Sequence, residues 1–332
     1  MKFTASILKK VATEMGASIL IEPEYELIGH ITFKNGKITV FDNTRFNING
    51  FGSANLAQDK AFSNYFLGKL GYQVTEGKTF FNDKMCAKVA NPRNIHDGWN
   101  YAQELGFPVI VKPLNLSLGI LVTKVYNKQE YYQVAEKILA TQSVLIVERF
   151  YQGNDFRILV LDNEVIAAYQ RIPLSVTGDG KSTILELLQK KRQQLIKTGE
   201  KILIDVEDFR IIKKLNKQNL SFDSVLAEDT LIYLLDNANL STGGDAIDFT
   251  ENIHPDFQKL AINITKDMGL RLAGVDILTD DITQPIVDYT VDYTLLEINS
   301  APGLAHYALL GEQQIQKVED LYRKILQALE NE

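Results

Sequence analysis

Two short apolar segments in the C-terminal third of the chain carry carboxylate and amide side chains. Residues 274–278 (GVDIL) predict a buried strand, and residues 293–298 predict a second one. Side chains two apart on a strand point to the same face, so Glu297 and Asn299 project together. If the two strands pair, Asp276 joins them in an all-oxygen site suited to Mg²⁺. The alternative is two acids at strand ends in water, but a carboxylate within an apolar run is costly unless it is paired or metal-bound.

Three lysines stand where they could hold phosphate groups. Lys60 lies in the first turn of a predicted helix, Lys112 ends a buried strand, and Lys181 sits on a GDGK turn. A charge that follows three apolar strand residues, as that of Lys112 does, is expected to have a partner. The other two, taken singly, are more simply solvated surface residues.

Glycine-bearing segments also suggest phosphate contacts. The loop 114–119 contains Ser117 and Gly119, and it can close over phosphates and donate backbone N–H groups. Residues 50–55 (GFGSAN) lack the third glycine of the dinucleotide fingerprint, and residues 175–182 (SVTGDGKS) begin with serine where a P-loop has glycine. Neither of these two motifs predicts a nucleotide site by itself.

The segment 144–157 (VLIVERFYQGNDFR) predicts a hinge between two lobes. Backbone groups at the end of its strand can read an adenine edge, and Asp155 can accept hydrogen bonds from ribose hydroxyls. These features suit a nucleotide without being specific for one.

The elements that must position these residues alternate between helices and strands, which favours an α/β (α+β) fold. Residues 35–36 (Asn-Gly) predict a hairpin turn. A lysine-rich helical stretch at 183–220 is expected on the surface. Helices are predicted near 4–15, 56–70, 94–105, 128–140, 255–268 and 312–329, and strands at 17–22, 109–113, 120–125, 144–148, 157–161 and 165–171. Helix 56–70 is predicted to carry one face made of Phe62, Tyr65, Phe66 and Leu70.

Composition excludes several classes of protein. The 332 residues are 45% apolar and 23% charged, which is ordinary for a globular chain. A net charge of −7 argues against a nucleic-acid partner. The single cysteine, Cys86, permits no intrachain disulfide and has no base nearby in sequence. Without a signal peptide or an apolar run of about 18 residues, no membrane segment is predicted and a cytoplasmic location is expected.

Several motifs in a fixed order resemble the ATP-grasp ligases. The similarity is greatest to the ATP-grasp half of bifunctional glutathione synthetases and to the matching region of cyanophycin synthetases, and it covers about residues 52–305. It implies a short N-terminal subdomain (1–55), a central lid lobe (56–148) and a C-terminal catalytic lobe with the metal site (149–332). The motifs are DKAFSNYFLGKLGY, FPVIVKP, VLIVERFYQGNDFRILVLDNEVIAAYQRIPLSVTGDGKSTI, NANLSTGGDAIDFTENIHP, LAGVDIL and LLEINSAPGL.

The resemblance implies a role for each matching position. The phosphates and the adenine side of ATP would be bound by Lys60, Lys112, Ser117 and Gly119. Lys181 would reach the terminal phosphates. Adenine and ribose would be bound by Glu148, Phe150 and Asp155. Two Mg²⁺ ions, with Mn²⁺ as a substitute, would be held by Asp276, Glu297 and Asn299. Charge on the transferring phosphoryl group would be stabilised by Arg157, Arg171 and Lys181, and a loop over the acceptor would be formed by Asn239, Ser241, Thr242, Gly243 and Gly244.

The activity that the resemblance implies is ATP-dependent amide formation between a carboxylate and an amine through an acyl phosphate, with small amino acids or peptides as substrates and a homodimer as one assembly. Two alternatives stay open: a ligase that modifies a carboxylate of a peptide or protein, and an ATP-binding protein without turnover. The chain departs from its relatives at residues 234–237, where LLDN stands in place of an expected arginine. Because that guanidinium is missing, this chain is not expected to recognise the carboxylate of a glutathione-type substrate in the same way.

Overall fold

The computed structural model describes residues 2–116, 118–196 and 204–331. Helices and strands alternate along the chain, as the sequence predicts. The helices are α1 (Phe3–Glu14), α2 (Phe51–Gln58), α3 (Lys60–Lys69), α4 (Asp83–Val89), α5 (Ile95–Leu105), α6 (Lys128–Leu139), α7 (Ile184–Ile196), α8 (Phe209–Lys217), α9 (Pro255–Asp267), α10 (Ala305–Ala308) and α11 (Glu312–Asn331). The strands are β1 (Ser18–Ile21), β2 (Ile28–Thr32), β3 (Ile38–Asp42), β4 (Arg45–Phe46), β5 (Gly77–Phe81), β6 (Val109–Pro113), β7 (Thr123–Val125), β8 (Val144–Arg149), β9 (Asn154–Leu161), β10 (Glu164–Ile172), β11 (Ser175–Thr177), β12 (Leu231–Tyr233), β13 (Asp245–Asp248), β14 (Leu272–Thr279) and β15 (Thr294–Asn299).

A four-stranded antiparallel sheet, in the order β1-β2-β3-β4, forms the N-terminal part of the chain. Asn35 and Gly36 turn the chain between β2 and β3, and Gly36 adopts a φ of 83°, which a side chain would disfavour. Helices α1 and α11 pack on this sheet, with Leu8 and Phe41 in the shared core. The predicted first helix and the predicted hairpin are confirmed.

A second four-stranded antiparallel sheet has the order β5-β8-β6-β7. Helices α5 and α6 cover one face, where Val111 and Val147 are fully buried. Side chains alternate between faces along a strand, so Lys112 and Glu148 point to the opposite face. This sheet therefore presents a buried charged pair on the side away from its helices.

A five-stranded antiparallel sheet, in the order β13-β10-β9-β14-β15, makes up the C-terminal core. Helix α9 packs on one face through Phe257 and Ile264. The register places Asp276 directly opposite Arg157 on one neighbouring strand and opposite Glu297 on the other. The predicted pairing of the two acid-bearing strands is thus confirmed.

The lysine-rich stretch predicted for the surface at 183–220 is only partly on the surface. Its described residues contain two helices, α7 and α8, which pack on the two-stranded sheet β11-β12. Leu188, Ile211 and Leu215 are buried in a core with that sheet, while Lys190 and Lys217 are exposed. Because charged residues are numerous in this stretch, the narrow apolar stripe of its helices was not recognised in the sequence.

The single helix predicted for 56–70 is wrong. Asp59 separates α2 from α3, because its carboxylate accepts hydrogen bonds from the backbone N–H groups of Ala61 and Phe62 and so starts a new helix. The buried side of α3 carries Leu67 and packs near β15. The predicted aromatic face is exposed instead: Phe62, Tyr65, Phe66 and Leu70 are 47–61% exposed.

The division of the chain at residues 55 and 148 stays a prediction. Within the described residues, every helix is too short or too polar to cross a bilayer.

Candidate active site

The three predicted metal ligands lie together at one place in the five-stranded sheet. Asp276 and Glu297 face each other across β14 and β15, and a bulge follows between Asp276 and Ile277. The Asn299 side-chain amide donates to Glu297 Oε1 over 3.3 Å. Two carboxylates and one amide therefore converge, as the strand periodicity predicts.

Two arginines also reach Asp276, which is fully buried. Arg157 donates from Nε and Nη2 to the two carboxylate oxygens, each over 2.6 Å. Arg171 Nη2 lies 3.0 Å from Asp276 Oδ2. Bidentate guanidinium–carboxylate pairs combine charge with fixed geometry, so these arginines hold the Asp276 carboxylate in one orientation.

Asp155 lies in this cluster as well, although the resemblance implied a ribose contact. Arg171 donates to Asp155 Oδ1 from Nε over 2.9 Å and from Nη2 over 2.6 Å. Burial raises the pKa of Asp155 to about 6, against the opposing charge of Arg171. The structure thus links Asp155 to the metal carboxylate through one shared guanidinium.

Lys60 connects Glu297 to the loop that follows β6. Its ammonium lies 3.6 Å from Glu297 Oε2 and donates to the backbone carbonyl of Leu116 over 3.1 Å. Burial opposes ionisation of Glu297, but the charges of Lys60 and Arg157 lower its pKa to about 2. Glu297 is therefore an anion at neutral pH.

The donor set fits Mg²⁺. Arg157 donates to both Asp276 oxygens and Arg171 Nη2 lies 3.0 Å from one of them, while the Glu297 side chain remains 26% exposed and so accessible to a cation. In the described ranges, groups of three or more His, Cys, Asp or Glu with metal-ligand geometry are absent. A site with two carboxylates and one amide needs further oxygens, and Mg²⁺ commonly takes these from substrate phosphates and water.

The second charged group lies on the four-stranded sheet β5-β8-β6-β7. Lys112 Nζ and Glu148 Oε2 are 2.7 Å apart, and both side chains are buried. Thr75 Oγ1 donates to the other Glu148 oxygen over 3.3 Å. A Cβ on Gly77 would lie 2.6 Å from Glu148 Cγ, so this position requires glycine. The expectation that Lys112 has a partner is confirmed, whereas Thr75 and Gly77 were not found from the sequence.

Phe150 directly follows β8 and comes two residues after Glu148 in the chain. The ammonium of Lys124 lies 3.4 Å from the centroid of its ring, a close cation–π contact. An aromatic ring and a cation at this edge are compatible with the predicted nucleotide contact.

The loop after β6 touches the predicted acceptor loop. Gly119 has a φ of 69°, and a Cβ there would lie 2.4 Å from Asn239 Oδ1 and 2.5 Å from Asn237 Nδ2. Leu121 also has a positive φ of 59°, which is why the strand predicted from 120 begins only at Thr123. Ser117 lies outside the described residues.

The predicted acceptor loop contains a 3-10 turn over Leu240–Thr242, in which Ser241 and Thr242 are buried. Gly243 has a φ of 87°, and a Cβ there would lie 2.5 Å from Ile204 Cδ1. A Cβ on Gly244 would lie 2.5 Å from the Ile172 carbonyl oxygen. The structure therefore gives both glycines a packing reason, and the role of the loop in substrate binding stays a prediction.

Lys181 is not brought to the cluster. It lies exposed on the turn before α7, and in the part of the chain that the structure describes its ammonium makes no hydrogen bond or ion pair. The sequence also missed Arg210, which donates to the Gly119 carbonyl over 2.7 Å. Sequence spacing gives no signal for that contact, because the two residues are 91 positions apart.

This arrangement of two sheets, with lysine-bearing strands in one and acidic strands in the other, defines the class of protein. The family model of the RimK-like ATP-grasp domain matches residues 89–210 and 236–320. The chain belongs to this ATP-grasp family, and the resemblance inferred from its motifs is confirmed.

Curated relatives refine the comparison. A cyanophycin synthetase of Geminocystis herdmanii is 35% identical over 271 residues, which cover 78% of this chain and 29% of the relative. A glutathione biosynthesis bifunctional protein of Mannheimia succiniciproducens is 30% identical over 280 residues, which cover 81% of this chain and 34% of the relative. The chain thus spans about a third of the length of these proteins.

Solved structures agree on the fold. A bifunctional glutathione synthetase from Pasteurella multocida superimposes with a TM-score of 0.59 at 25% identity, covering 92% of this chain and 40% of that one. A D-alanine–D-alanine ligase from Bacillus anthracis gives a TM-score of 0.51 at 14% identity, covering 85% of this chain and 69% of that one. The second likeness shows the ATP-grasp fold and nothing finer.

Proposed function

We propose that this chain is an ATP-dependent carboxylate–amine ligase. It activates a carboxylate as an acyl phosphate, which an amine attacks to form an amide with release of ADP and phosphate. The observation that supports this most is the group of charged side chains on three adjacent strands, where Arg157, Asp276 and Glu297 stand in register beside Lys60. Membership of the RimK-like ATP-grasp family and the names of the relatives agree with it.

The chemistry begins with a charge problem. A carboxylate that attacks the terminal phosphate of ATP brings one anion to another, so the phosphates need neutralising. Lys60, beside Glu297, and Lys112, beside Glu148, carry ammonium groups that would bind those phosphates. Glu297, Asn299 and Asp276 would hold Mg²⁺, which when bound withdraws charge from the phosphate oxygens.

The two arginines have a second use. Arg157 and Arg171 are held by Asp276 and Asp155, which keeps both guanidinium groups beside the place where negative charge would develop. A cation held by Asp276 would compete with the guanidinium groups for its oxygens, and an N–H group of Arg157 or Arg171 would then be free to donate to the transferring phosphoryl group. The proposed reaction needs no enzyme nucleophile.

An acyl phosphate hydrolyses in water, so the reaction must be shielded. The loop at Gly119 and the turn at Leu240–Thr242 already touch each other. Closing these two segments over the cleft excludes water while the amine enters. Small amino acids or peptides are the substrates that we propose for a cleft of this kind.

Phosphate release tests the proposal directly. The chain is incubated with ATP, Mg²⁺ and a panel of amino acids and dipeptides, and new amides are identified by mass spectrometry. We expect phosphate release that depends on both an acid and an amine, that is lost in Glu297→Gln and that is retained in Glu136→Gln, a matched change on the exposed side of α6. Release only with a larger peptide would instead indicate a peptide modifier, and ATP binding without any release would contradict ligase activity.

A further inference from the structure

Arg210 occupies an unusual position at the start of α8. Its side chain is 11% exposed, and its own helix cap fixes one edge of the guanidinium. Asp208, the N-cap residue, accepts from Arg210 Nε over 3.0 Å and from Nη2 over 2.6 Å. The same carboxylate accepts from the Arg210 backbone N–H over 2.9 Å. Two of the three guanidinium nitrogens are thus satisfied within the helix terminus.

The third nitrogen, Nη1, points away from the helix and reaches two other segments. It donates to the Gly119 carbonyl over 2.7 Å and lies 3.3 Å from the Val122 carbonyl. It also lies 3.5 Å from Asn237 Oδ1. Because its other edge is held by Asp208, the guanidinium presents these N–H groups in a fixed direction. One side chain therefore joins the loop after β6 to the segment that leads into the acceptor loop.

The contact with Asn237 continues into the acceptor loop. With Oδ1 facing Arg210, the Asn237 amide nitrogen donates to Asn239 Oδ1 over 3.1 Å and approaches Thr242 Oγ1 at 3.4 Å. Gly119 lies so close to the Asn237 and Asn239 amides that a Cβ would collide with both. Neither segment can shift far without changing the hydrogen bonds of the other.

We propose that Arg210 is a positioning residue that couples the loop after β6, on the nucleotide side, to the acceptor loop. It acts through the Gly119 carbonyl and the Asn237 amide, so that the two segments close as a unit. The inference rests on the proposed ligase function, since it assigns the two loops to ATP and to the amine. When the coupling is lost, the nucleotide side closes without the acceptor side, and water reaches the activated carboxylate.

Lys213 provides a matched control. It lies one turn further along α8, and its ammonium donates to the Lys124 carbonyl over 3.0 Å and pairs with Glu130 at 2.6 Å. In the described residues it bonds to neither Gly119 nor Asn237. Lys213→Gln therefore removes an attachment of α8 to the neighbouring sheet without touching the link between the two loops.

The test compares Arg210→Gln, Asp208→Asn and Lys213→Gln by the ratio of phosphate released to amide formed. For Arg210→Gln we expect this ratio and the KM of the amine to rise about tenfold, the size expected for a lost charge-assisted hydrogen bond, with a smaller change in the KM of ATP. Asp208→Asn keeps a helix-capping oxygen but loosens the guanidinium, so it should shift the ratio in the same direction by less. Lys213→Gln should leave the ratio at the wild-type value.

Hydrogen exchange without substrates gives a readout that does not need turnover. The Val122 N–H donates to the Gly119 carbonyl, and the Gly243 and Gly244 N–H groups donate within the acceptor turn. Arg210→Gln should speed exchange in both segments together, whereas Lys213→Gln should not.

Exchange that changes in one segment only, or equally in both variants, would overturn the coupling. A wild-type ratio in Arg210→Gln would do the same. If Arg210→Gln fails to fold, Asp208→Asn tests the coupling instead, by the ratio of phosphate to amide and by hydrogen exchange in the two segments. A wild-type chain that forms no amide refutes the proposed function, while the exchange comparison still decides whether Arg210 links the loops.

Discussion

The two buried charged groups of this molecule are built differently. On the four-stranded sheet, one ammonium meets one carboxylate, Lys112 with Glu148, with a threonine hydroxyl on the second oxygen. On the five-stranded sheet, two guanidinium groups share Asp276, and Arg171 also binds a second acid, Asp155. One group is a simple pair and the other is a network.

The difference indicates two roles. The simple pair is rigid, because separating Lys112 from Glu148 would leave a buried charge without a partner. A rigid pair can form part of a nucleotide-binding surface. In the network the partners can change. If Asp276 held a metal ion, Arg157 could still pair with Glu297 and Arg171 with Asp155. We therefore expect the pair to affect ATP binding and the network to affect the chemical step.

The largest effect is expected for Asp276→Asn. It removes the charge that balances two buried guanidinium groups, and breaking a buried pair in this way costs about 3–5 kcal/mol of unfolding free energy. Turnover should be lost as well. Urea denaturation followed by circular dichroism measures the first effect and phosphate release the second. Wild-type stability in this variant would mean that the network contributes nothing to the free energy of unfolding.

Glu297→Gln should separate chemistry from stability. Glu297 is part-exposed and its cations Lys60 and Arg157 lie 3.6 and 3.9 Å away, so its loss should change the unfolding free energy less than the loss of the fully buried Asp276 carboxylate does. Turnover should fall about 1,000-fold, since loss of several kcal/mol of metal-based stabilisation has that effect on a rate. Steady-state phosphate release at saturating Mg²⁺ is the measurement, and near-normal turnover would remove Glu297 from the metal site.

Lys112→Met tests the simple pair. It leaves Glu148 buried without its cation, so the KM of ATP should rise about 10- to 100-fold and the chain should lose stability. The double variant Lys112→Met/Glu148→Leu should regain most of the stability, because apolar replacement of a buried pair is often neutral, but not the affinity for ATP. Thermal unfolding and ATP titration compare the two, and recovery of both properties would show that the pair is structural only.

The smallest effect is expected for Lys181→Gln. The exposed ammonium contributes nothing to the packed core, so the unfolding free energy should change by no more than about 0.5 kcal/mol. If Lys181 reaches the terminal phosphates only after ATP binds, kcat should fall by no more than about fivefold, the most that an exposed ion pair usually provides. A loss as large as that of Glu297→Gln would place Lys181 inside the reaction centre.

Strand periodicity predicted much of this comparison. The alternation of side chains placed Glu297 with Asn299, and one charge after three apolar residues predicted that Lys112 has a partner. Both inferences depend on local geometry, which a single sequence contains. The break at Asp59 was missed because a capping carboxylate and a mid-helix one look alike within a helical pattern.

The rest of the site depends on contacts between distant segments. The approach of Arg210 to Gly119 and of Arg157 to Asp276 joins residues 91 and 119 positions apart, and no spacing rule reports such pairs. The exposure of Phe62 and Phe66 also follows from which side of α3 meets β15, not from the helix itself. Tertiary packing decides these features.

A crystal structure with Mg²⁺ and a non-hydrolysable ATP analogue would show whether Asp276, Glu297 and Asn299 hold the metal ions. We predict metal ions at about 2.1 Å from oxygens of Glu297, Asn299 and Asp276, with at least one guanidinium of Arg157 or Arg171 turned from Asp276 toward the phosphates. Metal ions bound elsewhere, with the arginine network unchanged around the nucleotide, would contradict the account.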